Sequence, residues 1–174
     1  LLSTKMGGPP VYPFQHDGIL INRATPATWT ISPGEDRYRR GLYTYHWRLT
    51  PHPQLQTFDA PDAITSCTRR QPSNTPLQAL ALLNEPTFTE AIETLARDAI
   101  STNLPTDEQR VAYVFERCLS RMPSVAEIDI LMEELQEVRR KSIESRRPKE
   151  DAEFTAWLQV TRTIFNVEEF ILRE

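Results

Sequence analysis

The side chains with the most chemical capacity are gathered in residues 57–84, the run TFDAPDAITSCTRRQPSNTPLQALALLN. Asp59 and Asp62 bring carboxylates, Arg69 and Arg70 bring guanidinium groups, and Asn74 brings an amide. Paired arginines suit a carboxylate or sulfate, because each guanidinium offers a planar fork of N–H donors. Asn74 and a helix opening at Pro76 would add anion affinity through the free amides of the helix start. A second reading uses the same residues structurally. Arg69 and Arg70 then pair with Asp59 and Asp62 and pin an irregular loop, whose backbone needs side-chain partners. The first reading requires an open site, the second a closed one.

Other constellations are weaker. His46 and His52 with Asp59 or Asp62 are ligand types for a transition metal, but their spacing matches no standard signature. Hydrogen-bonded histidines are the expectation, with no metal site. Glu35 and Asp36, or Asp59 and Asp62, could form the carboxylate pair of a glycoside hydrolase, with Tyr43, Tyr45 and Trp47 as sugar platforms. Adjacent acids do not establish the separation across a cleft that this chemistry needs, and a capping or loop-fixing role fits them better. Ser66 or Ser73 with His46 lacks the G-x-S-x-G setting of a serine nucleophile. Cys67 and Cys118 allow one disulfide or two free thiols, and Cys118 falls on the apolar face of a predicted helix. There is no C-x-x-C-H haem attachment site.

The elements that must position these groups differ between the two parts of the chain. Residues 1–75 carry a net +3 and residues 76–174 a net −7, and 10 of the 14 prolines lie at or before Pro76. Residues 1–34 read as coil, punctuated by Gly7, Gly8, Pro9, Pro10, Pro13, Gly18, Pro26, Pro33 and Gly34. Val11, Tyr12, Phe14, Ile19, Leu20, Ile21 and Trp29 make it a coil that packs rather than one that is disordered. Residues 35–50 fit two patterns. Tyr43, Tyr45, Trp47 and Leu49 alternate against Leu42, Thr44, His46 and Arg48 as in a strand. Tyr38, Leu42, Tyr45 and Leu49, with Ser32 and Glu35 as a capping box, fit a helix. Aromatic and β-branched content favours a short strand. Residues 50–62 read as extended because three prolines restrict them.

From Pro76 onward the pattern is helical. A proline after a Ser/Thr/Asn cap opens a helix over Pro76–Asn84, and Pro86 opens a second with Phe88, Ala91, Ile92, Leu95 and Ala99 in one stripe. Thr106 with Gln109 and Ser124 with Glu127 are capping boxes for a third and a fourth. Their inward stripes are Val111, Val114, Phe115 and Cys118, then Ile128, Leu131, Leu135 and Val138. A charged connector over 144–151 precedes a fifth helix over 152–166, and Asn166 breaks it before residues 168–173. The expected fold is therefore mainly α. Residues 76–174 form a bundle of four to five amphipathic helices, with an irregular Pro/Gly-rich segment, 1–75, packing on it.

Composition limits the function classes. Of 174 residues, 39% are hydrophobic and 25% charged, which describes an ordinary globular chain with no apolar run of membrane-spanning length. The mild basic excess of 1–75 and the acidic 76–174 argue against a nucleic-acid footprint. The chain does not open on methionine and reads as a piece of a longer protein.

Several runs also match a known family in order. They are MGGPPV from Met6, GEDRYRRGLYT from Gly34, TFDAP from Thr57, NTPLQALALLNEP from Asn74, RCLSRMPS from Arg117 and FNVEEF from Phe165. The chain resembles the C-terminal secreted domain of unknown function of planctomycete-type, cytochrome c-domain-containing exported proteins. That resemblance implies export to the periplasm or cell surface, and a parent chain whose haem is bound elsewhere, with no cofactor in this segment. It also implies other domains of the parent as partners. Together these readings point to a non-catalytic interaction module, contacting a partner domain, an extracellular carbohydrate or an anionic ligand through Arg69, Arg70, Asn74, Asp59, Asp62 and His46. A polysaccharide-degrading domain is the alternative.

Overall fold

A computed structural model describes residues 2–19, 28–146 and 148–172. The contributions expected of Leu20, Ile21, Pro26 and Arg173 lie outside these residues. The chain divides into two compact units, Leu1–Ala81 and Leu82–Glu174, and the division falls inside a helix rather than at its start. The described residues hold seven α-helices: α1 (Pro53–Thr57), α2 (Pro76–Asn84), α3 (Pro86–Ser101), α4 (Asp107–Leu119), α5 (Val125–Glu144), α6 (Lys149–Phe165) and α7 (Glu168–Ile171). The fold is mainly helical, as the sequence predicts, but α1 forms inside residues 50–62, which the prolines predict to be extended. Pro53 stands at its first turn, where a missing N–H is tolerated.

In the C-terminal unit, local signals set the helix ends. The Ser124 hydroxyl accepts from the Glu127 amide at 3.3 Å, and Glu127 accepts from the Ser124 amide at 2.7 Å, so the capping box of α5 is complete. Thr106 accepts from the Gln109 amide at 3.3 Å and caps α4. Ser120, with φ 59°, ends α4 in the left-handed conformation. Pro86 stands at the first turn of α3, where its missing N–H costs nothing.

Helix α6 is central, packing on α3 and α5. It buries Ala156, Trp157, Val160, Ile164 and Phe165 among Ile92 and Ala96 of α3, Val114 and Phe115 of α4, and Leu131 and Leu135 of α5. The small residues Ala96, Ala99 and Ala156 are fully buried, which lets helix backbones approach closely. Phe170 of α7 meets Phe165 with ring centroids 4.5 Å apart. Arg121 then grips Glu127 and Glu169 with both ends of its fork, at 2.7–3.0 Å. Two of the sequence runs, RCLSRMPS and FNVEEF, thus meet at one arginine. With Arg121 and the Ser124 amide donating to it, Glu127 titrates at about 2.

Cys118 lies in this core with its thiol pushed up to about 12 by burial, whereas Cys67 is exposed in the other unit, and neither is in a disulfide. Thiolates, not thiols, react with alkylating agents. Intact-mass measurement after iodoacetamide treatment of the native chain is expected to show one adduct, on Cys67. In denaturant two adducts are expected.

The N-terminal unit is held differently. Residues 35–50 do not form the short strand that their alternation predicts. Gly34–Tyr38 and Gly41–Tyr43 are 3-10 turns, and among the described residues pairing is limited to single bridges, Ser3 with Arg39 and Val11 with Thr44. The alternating aromatics are used up in side-chain contacts instead. Tyr45 stacks on Tyr12 with centroids 5.2 Å apart, Tyr12 meets Trp29 edge-on at 5.1 Å, and Tyr45 meets Trp47 at 5.1 Å. Gly41 leaves room for Leu55: a Cβ there would lie 2.8 Å from Leu55 Cδ2, which would have to shift.

Arg39 is buried in this unit. It donates to the carbonyls of Lys5 and Gly7 and lies 3.8 Å over the Tyr43 ring. The Gly7 amide donates to the Tyr43 hydroxyl at 3.1 Å, so two separated sequence runs, MGGPPV and GEDRYRRGLYT, are fastened together.

Candidate functional site

The loop over residues 60–72 is closed at its neck by three side chains. Asp59 Oδ2 accepts from the Ser73 amide at 2.7 Å, and the Ser73 hydroxyl donates to the same carboxylate at 2.8 Å. Gln78, only 1% exposed, donates from Nε2 to the Thr57 carbonyl at 2.9 Å, to Ser73 Oγ at 3.1 Å and to Asp59 Oδ2 at 3.3 Å. Its other end, Oε1, accepts from the Thr75 amide at 2.8 Å, while the Gln78 amide donates to Thr75 Oγ1 at 3.3 Å. Thr75 and Gln78 therefore form a capping box for α2, and the same glutamine ties the loop neck.

The second acid works locally too. Asp62 Oδ1 accepts from the amides of Ile64 and Thr65 at 2.9 and 3.1 Å and from the Thr65 hydroxyl at 3.3 Å. These bonds hold a tight turn in which Ala63 takes φ 56°, and Asp59 itself sits at φ 55°. Left-handed backbone costs an L-residue about 1–2 kcal/mol, so such positions persist only where side-chain bonds over-determine them.

The electrostatics follow from the donors. The Ser73 amide, then its hydroxyl, with help from Gln78 and the charge of Arg70, hold the Asp59 carboxyl below the usual aspartate range. The amides of Ile64 and Thr65 do the same for Asp62, and the nearby His46 charge adds a smaller pull. Both acids stay ionised well below neutral pH. Neither is poised as a general acid, which requires a raised value.

Arg69, Arg70 and Asn74 are exposed on this loop and its exit. Among the described residues neither arginine forms an ion pair, so the expected Asp–Arg pinning is replaced by Asp–backbone and Asp–Ser–Gln pinning. The helix start at Pro76 is already occupied by Thr75 and Gln78, which leaves it little capacity to bind an anion. His46 is exposed near Asp62, whereas His52 is buried with Nε2 2.9 Å from the Phe14 carbonyl. No group of three metal-ligating side chains occurs among the described residues. Tyr45 stacks on Tyr12, and Trp47 meets Tyr45 at 65°, so Tyr45 and Trp47 do not form one flat platform.

Ser73 and Gln78 are absent from the sequence-derived site residues. For Gln78 the signal was present: T-x-x-Q across Thr75–Gln78 is a capping-box spacing. For Ser73 there was none, because its partner lies 14 residues away across an irregular loop.

Comparison with known proteins places the chain in a family. The PSD1 family model, described as a protein of unknown function (DUF1553), matches residues 1–135, and the chain belongs to that family. No curated protein and no solved structure matches it. No helix among the described residues is long and apolar enough to cross a membrane.

Proposed function

We propose that this chain is a non-catalytic interaction module of an exported, haem-linked multidomain protein. Its clasped loop presents Arg69 and Arg70 to a carboxylate or sulfate on a partner domain or an extracellular acidic carbohydrate. One observation carries the reading: the loop acids are engaged by internal donors while, among the described residues, the two exposed arginines form no ion pair. Export and the haem-bearing parent rest on the sequence runs that resemble exported proteins. A hydrolase built on Asp59 and Asp62 is disfavoured, because both carboxylates are held ionised and engaged with their own loop.

Calorimetric titration of the chain at low salt with dextran sulfate and, separately, with poly-glutamate tests this. One probe is expected to bind, with the sulfated polymer reporting a carbohydrate source and the polypeptide an acidic partner domain. Each charged hydrogen bond is worth about 1.5–3 kcal/mol, so Arg69→Ala with Arg70→Ala is expected to weaken binding by roughly a hundredfold at unchanged melting temperature. Binding of neither probe, or binding undiminished in the double variant, overturns the reading.

A further inference from the structure

We infer that Gln78 makes the neck of the arginine-bearing loop and the first turn of α2 a single cooperative unit, so that a force on the loop is registered at the helix start. The loop is the one used in the proposed function, but the coupling stands apart from any ligand. One amide side chain serves both structures. Its Nε2 holds the Thr57 carbonyl, Ser73 Oγ and Asp59 Oδ2, and its Oε1 holds the Thr75 amide. The side chain is buried in the closed clasp, where each of its polar atoms is bonded to protein. If Ser73 and Asp59 move away, Nε2 keeps the Thr57 carbonyl but its second hydrogen loses both acceptors, and any tilt of the planar amide toward a new one carries Oε1 with it. The Thr75 amide then loses Oε1 and the α2 cap is released. The reverse holds by reciprocity: fraying the α2 start loosens the loop neck.

Asp59 and Thr75 do not bond to each other; Gln78 and Ser73 lie between them. Thr75→Ala removes the hydroxyl that accepts from the Gln78 main-chain amide and so frays the α2 start. A double-mutant cycle of it with Asp59→Asn, read as urea-unfolding equilibria of the chain without ligand, measures the coupling. The two substitutions are expected to be non-additive by about fivefold in the unfolding constant, with the second change costing less once the first is made. In a Gln78→Met background the same pair is expected to be additive. Additivity in the wild-type background overturns the inference. So does non-additivity that survives Gln78→Met, since the backbone rather than the glutamine would then carry it. Should Gln78→Met not fold, the wild-type cycle decides alone, with Thr75→Ser restoring the hydroxyl and the wild-type behaviour. Because no probe ligand is used, failure here and failure of the anion-binding reading are separate results.

Discussion

Replacing Trp157 by alanine is expected to destabilise the C-terminal unit by about 3–5 kcal/mol, the range for truncating a large aromatic in a closed core. Trp157 is fully buried on the central helix, among residues contributed by α3, α4 and α5. Its indole Nε1 also donates to Glu153 at 2.8 Å, and Glu153 in turn pairs with Arg139, which reaches Asp107 at the start of α4. The substitution removes packing and one member of that chain together. The buried alanines cannot move in to fill the space, so a cavity remains. Urea unfolding followed by far-ultraviolet circular dichroism checks this, with a midpoint lowered by about 2 M at an m-value near 2 kcal/mol/M. A change below about 0.5 M would show that α6 is not the central element.

The second large effect is expected at Gln78, where hydrophobic pattern alone gives the wrong sign. Leucine there continues the apolar run of PLQALALLN, has similar volume and has good helix propensity. It should nonetheless destabilise the N-terminal unit by about 2–4 kcal/mol. Each buried polar group left without a partner costs roughly 1–3 kcal/mol, and Gln78→Leu strands the Thr57 carbonyl and the Thr75 amide while weakening the hold on Asp59. Hydrogen exchange at the Ser73 and Thr75 amides reads this directly, because both are bonded within the clasp. Faster exchange in Gln78→Leu is the expected outcome. Protection equal to wild type would show that the clasp does not hold the loop.

The parts of this structure that sequence reveals are those set by short-range rules. Ser124 with Glu127 and Thr106 with the Gln109 amide lie three residues apart, and Pro76 and Pro86 mark helix starts that the backbone obeys. The stripe Val111, Val114, Phe115 and Cys118 is buried as periodicity requires. What resisted reading depends on partners distant in sequence. Tyr43, Tyr45 and Trp47 alternate like a strand, yet Tyr43 serves the Gly7 amide and Arg39, and Tyr45 serves Tyr12. Charge made Asp59 and Asp62 look like partners for Arg69 and Arg70. Backbone amides and Ser73 lie closer and are fixed by the chain, whereas long exposed arginines lose side-chain entropy by pairing. Asp59 was legible as a residue of consequence, but its partners were not.

Whether Asp59 is a clasp residue or a catalytic acid is decided most directly by a carbon-13 NMR titration of its carboxyl group. With Ser73 and Gln78 donating to it, the folded value lies below the ordinary aspartate value of about 3.9. A depressed folded value makes the stabilisation complete above the unfolded value and progressively lost as pH falls through the folded one, so the clasp persists from neutral pH into acid. The Ser73 amide resonance, hydrogen-bonded to that carboxylate, is expected to shift at the same lowered midpoint. An Asp59 that titrates above the ordinary value, with a Ser73 amide indifferent to it, would contradict the clasp and return the loop to the candidates for catalysis.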